Sequence, residues 1–230
     1  MTIGTYMSKK SQSILFFGKK NDEHTQKALS FCQNNFEHVD FYLDRFSKNK
    51  NELPEDIGWW DGDYIISYLS PWVLPEYLLK KASKAAINFH PASPDYPGIG
   101  CNNFALYHGA QEYGATYHHM AHQVDTGNII SVKKFQVFET DNVTTILSRT
   151  HDYLLSLFYD VVSLIISDKD LPTSSEKWSR KPYTRQELNN LAQITSDMTG
   201  DEIKKRIRAT TFDSWKPTVQ IDGFVFELKS

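Results

Sequence analysis

Residues 13–17 form a short apolar run that stops at Gly18, and runs of similar length recur at 39–43, 63–69 and 85–89. Runs this short, bounded by polar segments, read as strands, those at 13–17 and 63–69 as fully buried ones. Between the first two, Ala28, Leu29, Phe31, Cys32 and Phe36 recur at roughly helical spacing, and Pro75-Glu76-Tyr77-Leu78-Leu79 opens a helix at a proline. Strand and helix in alternation carry the chain back to the same end of a sheet, so a parallel, doubly wound α/β architecture is expected. Ligands meet such a sheet at the carboxyl ends of its strands, which puts residues 67–72 and 88–98 on one rim.

Further along, Gly98-Ile99-Gly100-Cys101-Asn102 leads into a helix expected to reach about Gln111, whose N-terminal amides suit a phosphate. Residues 113–120 and 129–137 read as longer strands, the second with Ser131, Lys133 and Lys134 of an exposed edge. A helix from Thr140 or Asp141 carries Ile146, Leu154, Leu155, Phe158, Val162 and Ile165 and ends near 168–172. Beyond it the composition changes: Lys177-Trp178-Ser179-Arg180-Lys181-Pro182-Tyr183-Thr184-Arg185, a short helix through Leu188 and Leu191, and a helix from Thr199. Thr199 and Glu202 have capping-box spacing, and Lys204, Lys205, Arg206 and Arg208 read as a solvated face. Residues 218–228 alternate around Asp222-Gly223, a hairpin signal, and an isolated hairpin must pack on the core or on another subunit. The expected division is a loose start at 1–10, a core domain at 11–170 and an extension at 171–230.

With 230 residues, 40% of them hydrophobic, the chain can bury one substantial core and a small appendage. Twenty-five basic against 28 acidic residues leave a net charge of −3, which argues against a nucleic-acid partner. Only Cys32 and Cys101 are present, so no disulfide framework is read and a reduced, cytoplasmic setting is expected. The longest strongly apolar patch, 161–166, is too short to span a bilayer. Trp59-Trp60 is read as packing.

The chemistry is carried by Asn88-Phe89-His90-Pro91, then Tyr96-Pro97-Gly98, then Val124-Asp125-Thr126-Gly127-Asn128-Ile129-Ile130. Asn88 and His90 are two apart, so on a strand end both face one side, where an amide donor and an imidazole can converge on one carbon. The order Asn-x-His-Pro, Tyr-x-Gly, Asp-x-Gly-x-Ile resembles the folate-dependent formyltransferases across about residues 13–137. Ile87 to Ala92, with the Tyr96 to Gly100 and Asn103 to Tyr107 stretches, is similar to the sugar N-formyltransferase branch, which acts on nucleotide-linked amino sugars.

That resemblance implies a Rossmann-like, mostly parallel sheet with a small helix and hairpin extension, a 10-formyltetrahydrofolate donor, and a homodimer joined through the hairpin. It implies His90 as general base, Asn88 as oxyanion donor and Asp125 as the group that orients His90. Ser67, Tyr68, Leu69, His118, His122 and Val124 correspond to segments that bracket the folate in this family. Tyr96, Gly98, Asn103, Arg180 and Lys181 fall where the sugar nucleotide is held, the last two in a local basic cluster suited to a pyrophosphate. The acceptor implied is a dTDP- or UDP-linked 4-amino-4,6-dideoxyhexose or its 3-amino isomer, destined for surface polysaccharide such as O-antigen.

His118, His119 and His122 invite a metal reading, but no carboxylate is fixed beside them in sequence and none is needed for the transfer. No step calls for an acyl-enzyme, so Cys101 has no nucleophilic role. The alternatives are a glycinamide ribonucleotide formyltransferase, disfavoured by Ala92-Ser93-Pro94-Asp95 and the C-terminal extension, and a catalytically silent nucleotide-sugar binding protein. A metal-dependent hydrolase is a remote third.

Overall fold

A computed structural model describes residues 9–47 and 52–229. Of the expected loose start, residues 1–8 lie outside the described residues, whereas Lys10 already opens a strand and pairs with Asp168 at 2.7 Å. The elements are β1 (Lys10–Lys19), α1 (Glu23–Asn35), β2 (Phe36–Asp44), β3 (Gly62–Tyr68), α2 (Glu76–Leu79), β4 (Ala82–His90), α3 (Cys101–His108), β5 (Glu112–His119), β6 (Ile129–Gln136) and α4 (Val143–Ile166). They are followed by α5 (Arg185–Leu191), β7 (Gln193–Ile194), α6 (Gly200–Thr210), β8 (Thr218–Ile221) and β9 (Phe224–Glu227). The main sheet runs β2-β1-β3-β4-β5-β6. Its first four strands are parallel and β5 and β6 antiparallel, the mostly parallel α/β sheet expected.

The two-residue period of the strands sorts side chains onto two faces. Phe16, Ile66, Tyr68, Ile87 and Phe89 enter the core covered by α1 and α4, while Leu15, Phe17 and Ile65 meet Trp72, Leu74 and Leu78 elsewhere. Phe158 of α4 is the hub of the first cluster: its ring meets those of Phe16, Phe31, Tyr68 and Phe89. Because Ile87 and Phe89 point into that core, the intervening Asn88 and the terminal His90 must point the other way.

Helix α4 starts at an Asn142–Thr145 capping box, just past the expected Asp141. Asp141 instead accepts the Phe138 N–H and both Arg149 guanidinium contacts, at 2.8 and 2.9 Å. Arg208 of α6 donates to the carbonyls of Asp141 and Phe138. Arg206 donates to those of Asn190 and Leu191 at the end of α5 and of Gln193 in β7. These two cations are therefore clamps, not a solvated face. The Thr199 cap is half a capping box, since Thr199 accepts from Glu202 N–H but the Glu202 carboxylate bonds Tyr107 and Arg206. Helix α3 ends earlier than expected, at His108, where Gly109 adopts a left-handed conformation.

Residues beyond α4 do not form a detached appendage. Tyr183, Leu188, Leu191 and Ala209 share one core cluster with Tyr96, Phe104, Tyr113 and Ile146. The expected hairpin is present as β8–β9, turned at Asp222 and Gly223 with φ of 49° and 84°, and β8 pairs in parallel with β7. Phe224, Val225 and Phe226 of this hairpin are exposed. The packing reading of the tryptophan pair holds for Trp60, which packs on the Leu15–Phe17 cluster, and fails for Trp59, which is 90% exposed. Among the described residues no helix is long and apolar enough to cross a membrane.

Phe158→Ala would leave a void at the meeting point of four rings. It is expected to cost about 3–5 kcal/mol of stability, read as a lower denaturation midpoint at unchanged m-value.

Candidate active site

Three segments converge on the face of β4 opposite α4. Asn88 and His90 come from the end of β4, His118 stands opposite Asn88 on antiparallel β5, and Asp125 arrives on the loop joining β5 to β6. Asp125 sits at φ 50°, a conformation strained for a residue with a Cβ but tolerated by aspartate. Gly127, two residues on, lies so close to the His119 carbonyl that any Cβ would collide with it, which gives the Asp-x-Gly spacing a steric reason.

Asp125 is 4% exposed and accepts the Gly98 N–H at 2.9 Å through Oδ2. Its Oδ2 also lies 3.3 Å from His90 Nδ1, and its Oδ1 lies 3.3 Å from His118 Nε2. Asn88 directs Nδ2 at His118 Nε2, 3.1 Å away, and at Asp125 Oδ1, 3.5 Å away. His118 Nδ1 donates to the His119 carbonyl at 2.8 Å, while its Nε2 faces the Asn88 amide and Asp125 Oδ1. The far nitrogen of His90, Nε2, lies 3.1 Å from the Tyr96 carbonyl.

Burial pushes the Asp125 carboxyl upward, but the facing His90, the His118 contact and the Gly98 N–H outweigh it and hold it at about 2. The site therefore contains a permanent anion. His90 is pushed below the ordinary histidine value, first by burial and then by His118, against the opposing pull of Asp125 and the Tyr96 carbonyl. Its ring is thus neutral at pH 7, while oxygen acceptors beside both nitrogens stand ready to satisfy the protonated form.

Asn88, His90 and Asp125, expected to act together, are brought together. His118, expected beside the folate, joins them directly. The remaining expectations divide. Gly98 is part of the constellation through Asp125, and its φ of 92° and its contact with the Tyr183 backbone exclude a Cβ. Ser67 pairs with Asn88 in the β3–β4 register, and Leu69 follows at φ 51°. Tyr68, by contrast, is a core residue among Phe16, Phe89 and Phe158, so only its backbone can serve a ligand. Val124 is exposed; His122 is also exposed, lies past the end of β5 and faces Glu76 at 3.9 Å, so it shares no strand face with His118.

Tyr96 packs between Tyr113 and Tyr183. Asn103, expected at the acceptor pocket, is instead a buried clamp that donates to the Ala209 carbonyl at 2.6 Å and ties α3 to α6. Arg180 is already engaged: it pairs with Glu187 at 2.8 Å and stacks 3.3 Å above the Tyr183 ring, while Lys181 is exposed. Among the described residues no group of three or more His, Cys, Asp or Glu side chains is arranged to hold a metal ion. Burial pushes the Cys101 thiol up to about 11, which disfavours the thiolate a nucleophile would need.

One residue escaped the sequence reading. Trp178 meets the rings of His90 and His118 at 5.7 and 5.0 Å, nearly perpendicular to both, and donates its indole N–H to the Gly127 carbonyl at 2.8 Å. Its signal was present only as an aromatic residue inside a basic run.

A carboxylate-anchored histidine beside a carboxamide donor, at the carboxyl end of a parallel strand, is a site for proton transfer at a carbonyl. Residues 8–162 match the family model described as formyl transferase, and the chain belongs to that family. Among its relatives, a GDP-perosamine N-formyltransferase of Brucella melitensis biotype 1 is 29% identical over 184 residues, covering 79% of this chain and 70% of the relative. Among solved structures, a sugar N-formyltransferase from a Shewanella species aligns with a TM-score of 0.75 at 17% identity, over 95% of this chain and 97% of that one. The N-formyltransferase from Helicobacter canadensis, solved with folinic acid and dTDP-3-aminofucose, aligns with a TM-score of 0.71 at 19% identity, over 92% and 85% of the two chains.

An NMR titration of the His90 ring is expected to give a midpoint below about 6.5, the ring staying neutral through pH 7 and charging only as the pH falls further. A midpoint above that value would mean that Asp125 outweighs burial.

Proposed function

We propose that this protein transfers a formyl group from 10-formyltetrahydrofolate to the amine of a nucleotide-linked amino dideoxysugar. The observation that carries the reading is the convergence of Asn88, His90 and Asp125 at one buried site of a formyl transferase family member. The acceptor is proposed to be a 4-amino-4,6-dideoxyhexose or its 3-amino isomer, formylated in the cytoplasm for surface polysaccharide such as O-antigen. The GDP-perosamine relative and the neighbour bound to dTDP-3-aminofucose support an amino sugar on a nucleotide, and they add GDP to the expected dTDP and UDP.

The donor folate supplies an acyl carbonyl on a nitrogen that leaves readily, and no metal is called for. Backbone groups at Ser67 and Leu69, and the loop that carries Val124, are the proposed folate contacts, because they flank Asn88. His90, neutral and held by Asp125, takes the proton of the attacking amine as the new C–N bond forms. Asn88 Nδ2 has one N–H on His118 and only a 3.5 Å contact to Asp125, so its second N–H is free to turn to the oxyanion. As the C–N bond to the folate breaks, the proton on His90 passes to the departing nitrogen, and the electrons balance without a covalent enzyme intermediate. Asp125 stays ionised throughout and stabilises the imidazolium between these two transfers.

Phe224 and Phe226 on one face of the hairpin, and Val225 on the other, are all exposed, which supports a homodimer joined through the hairpin.

Purified protein incubated with 10-formyltetrahydrofolate and a panel of GDP-, dTDP- and UDP-linked 3-amino and 4-amino dideoxysugars is expected to add one formyl group to one sugar, read by mass spectrometry. Product with glycinamide ribonucleotide alone would move the chain to the purine branch, and nucleotide-sugar binding without product would make it a silent binding protein. His90→Ala and Asn88→Ala are each expected to lower kcat by roughly 100- to 1000-fold with the fold retained. A fully active His90→Ala would remove the base.

A further inference from the structure

We propose that Trp178, on the segment joining α4 to α5, is a positioning residue that holds the imidazoles of His90 and His118 in line with Asp125. The inference rests on formyl transfer at His90 as read above. Each of these histidines has both ring nitrogens beside a polar partner, His90 between Asp125 and the Tyr96 carbonyl, His118 between Asp125 with Asn88 and the His119 carbonyl. Neutral His90 has a single N–H for its two acceptors, and polar partners at the ring nitrogens set an axis through each imidazole but leave the ring free to rock about it. A flat group set nearly perpendicular to the ring removes that freedom. Trp178 meets His90 at 71° and His118 at 88°, so one indole restrains both.

The indole is itself fixed. Its N–H is bonded to the Gly127 carbonyl, and its segment is tied to the active-site loops on both sides. Ser174 N–H donates to the Ile129 carbonyl, Ser179 N–H to that of Pro94 and Tyr183 N–H to that of Pro97, while Ile99 N–H donates back to Tyr183. Tyr183 is locked by stacking on Phe104 at 3.7 Å, with Arg180 on its other side. Residues 174–183 thus form a strap across the site, and Trp178 is where the strap touches the reacting groups. Trp178 is half-buried whereas His90 and His118 are buried, so it is also part of what keeps water from the two rings. This makes a contribution to catalysis from outside residues 8–162, the part matched by the family model.

The test compares native protein with Trp178→Ala, Trp178→Phe and Trp178→Leu. Three readouts are used: kcat and KM for formyl transfer, the acid limb of the pH–rate profile, and the NMR titrations of the His90 and His118 rings. The titratable groups facing His90 are Asp125 and His118, both retained in every variant. Trp178→Ala is expected to lower kcat by roughly 10- to 100-fold with KM changed much less. With water admitted to the ring, the His90 midpoint and the acid limb should move up together toward the ordinary histidine value. Trp178→Phe, which keeps a flat ring, should recover most of the kcat that Trp178→Leu does not. If Trp178→Ala does not fold, the Phe and Leu variants carry the same comparison. A kcat within about twofold of native in the variants lacking a ring, unmoved histidine titrations, or a Phe variant no better than Leu would overturn the inference. If the native protein forms no product with any acceptor, the formyl-transfer reading fails, and the two histidine titrations still decide whether Trp178 holds the rings.

Discussion

A single buried carboxylate organises this protein's site. Removing an ion from water is expensive unless its lone pairs are taken up, and Asp125 has them taken up from three directions. Oδ2 receives the Gly98 N–H and faces His90, while Oδ1 faces His118 and the Asn88 amide. Those four partners arrive on three stretches of chain: Asn88 and His90 at the end of β4, Gly98 in the loop after it, and His118 on β5. The anion therefore does two jobs. It pins the loop around Gly98 onto the strand that carries Asn88 and His90, and in the proposed transfer it supplies the charge that an imidazole needs when it takes up a proton.

The sheet makes that convergence possible. Four parallel strands bring β4 to the centre with both faces covered, and the switch to antiparallel β5 sets His118 directly across from Asn88. The aromatic core around Phe158 fixes Phe89, and by the alternation of the strand it fixes which way His90 points. Packing and chemistry are thus coupled through one residue of register, because a slip of one position would send Asn88 and His90 into the α4 core. On the far side of the site, α5 and α6 are held by Arg206 and Arg208 through backbone carbonyls, and the same cluster seats Tyr183 against Gly98. The C-terminal residues are in this way part of the site's frame.

Much of this was legible in the sequence, for local reasons. The apolar runs and their spacing give the strands, and Asn88 and His90 two apart give a shared face. Asp125 enters through the family motif, and the steric reason for Gly127, its close pass by the His119 carbonyl, is seen only in the structure. What was not legible depends on distant contacts. Trp178 lies 88 residues from His90 in the chain, and only the path of residues 174–183 across the loops places it there. Asn103, Arg206 and Arg208 look like ligand or solvent-facing residues because their types are polar; their partners are backbone carbonyls from other elements, which no spacing rule announces. Trp59 shows the reverse error, since a large aromatic residue invites a packing reading that its local geometry does not provide.

In the proposed transfer Asp125 acts as a charge and not merely as a hydrogen-bond acceptor, and Asp125→Asn separates the two. The carboxamide can still accept the Gly98 N–H, so nucleotide-sugar affinity, read by calorimetry, should stay close to native. Turnover with 10-formyltetrahydrofolate should fall by on the order of 100-fold, because the imidazolium of His90 loses its counter-ion. Native turnover in Asp125→Asn would contradict the account, and an equal loss of affinity and turnover would show that Asp125 serves the fold and not the reaction.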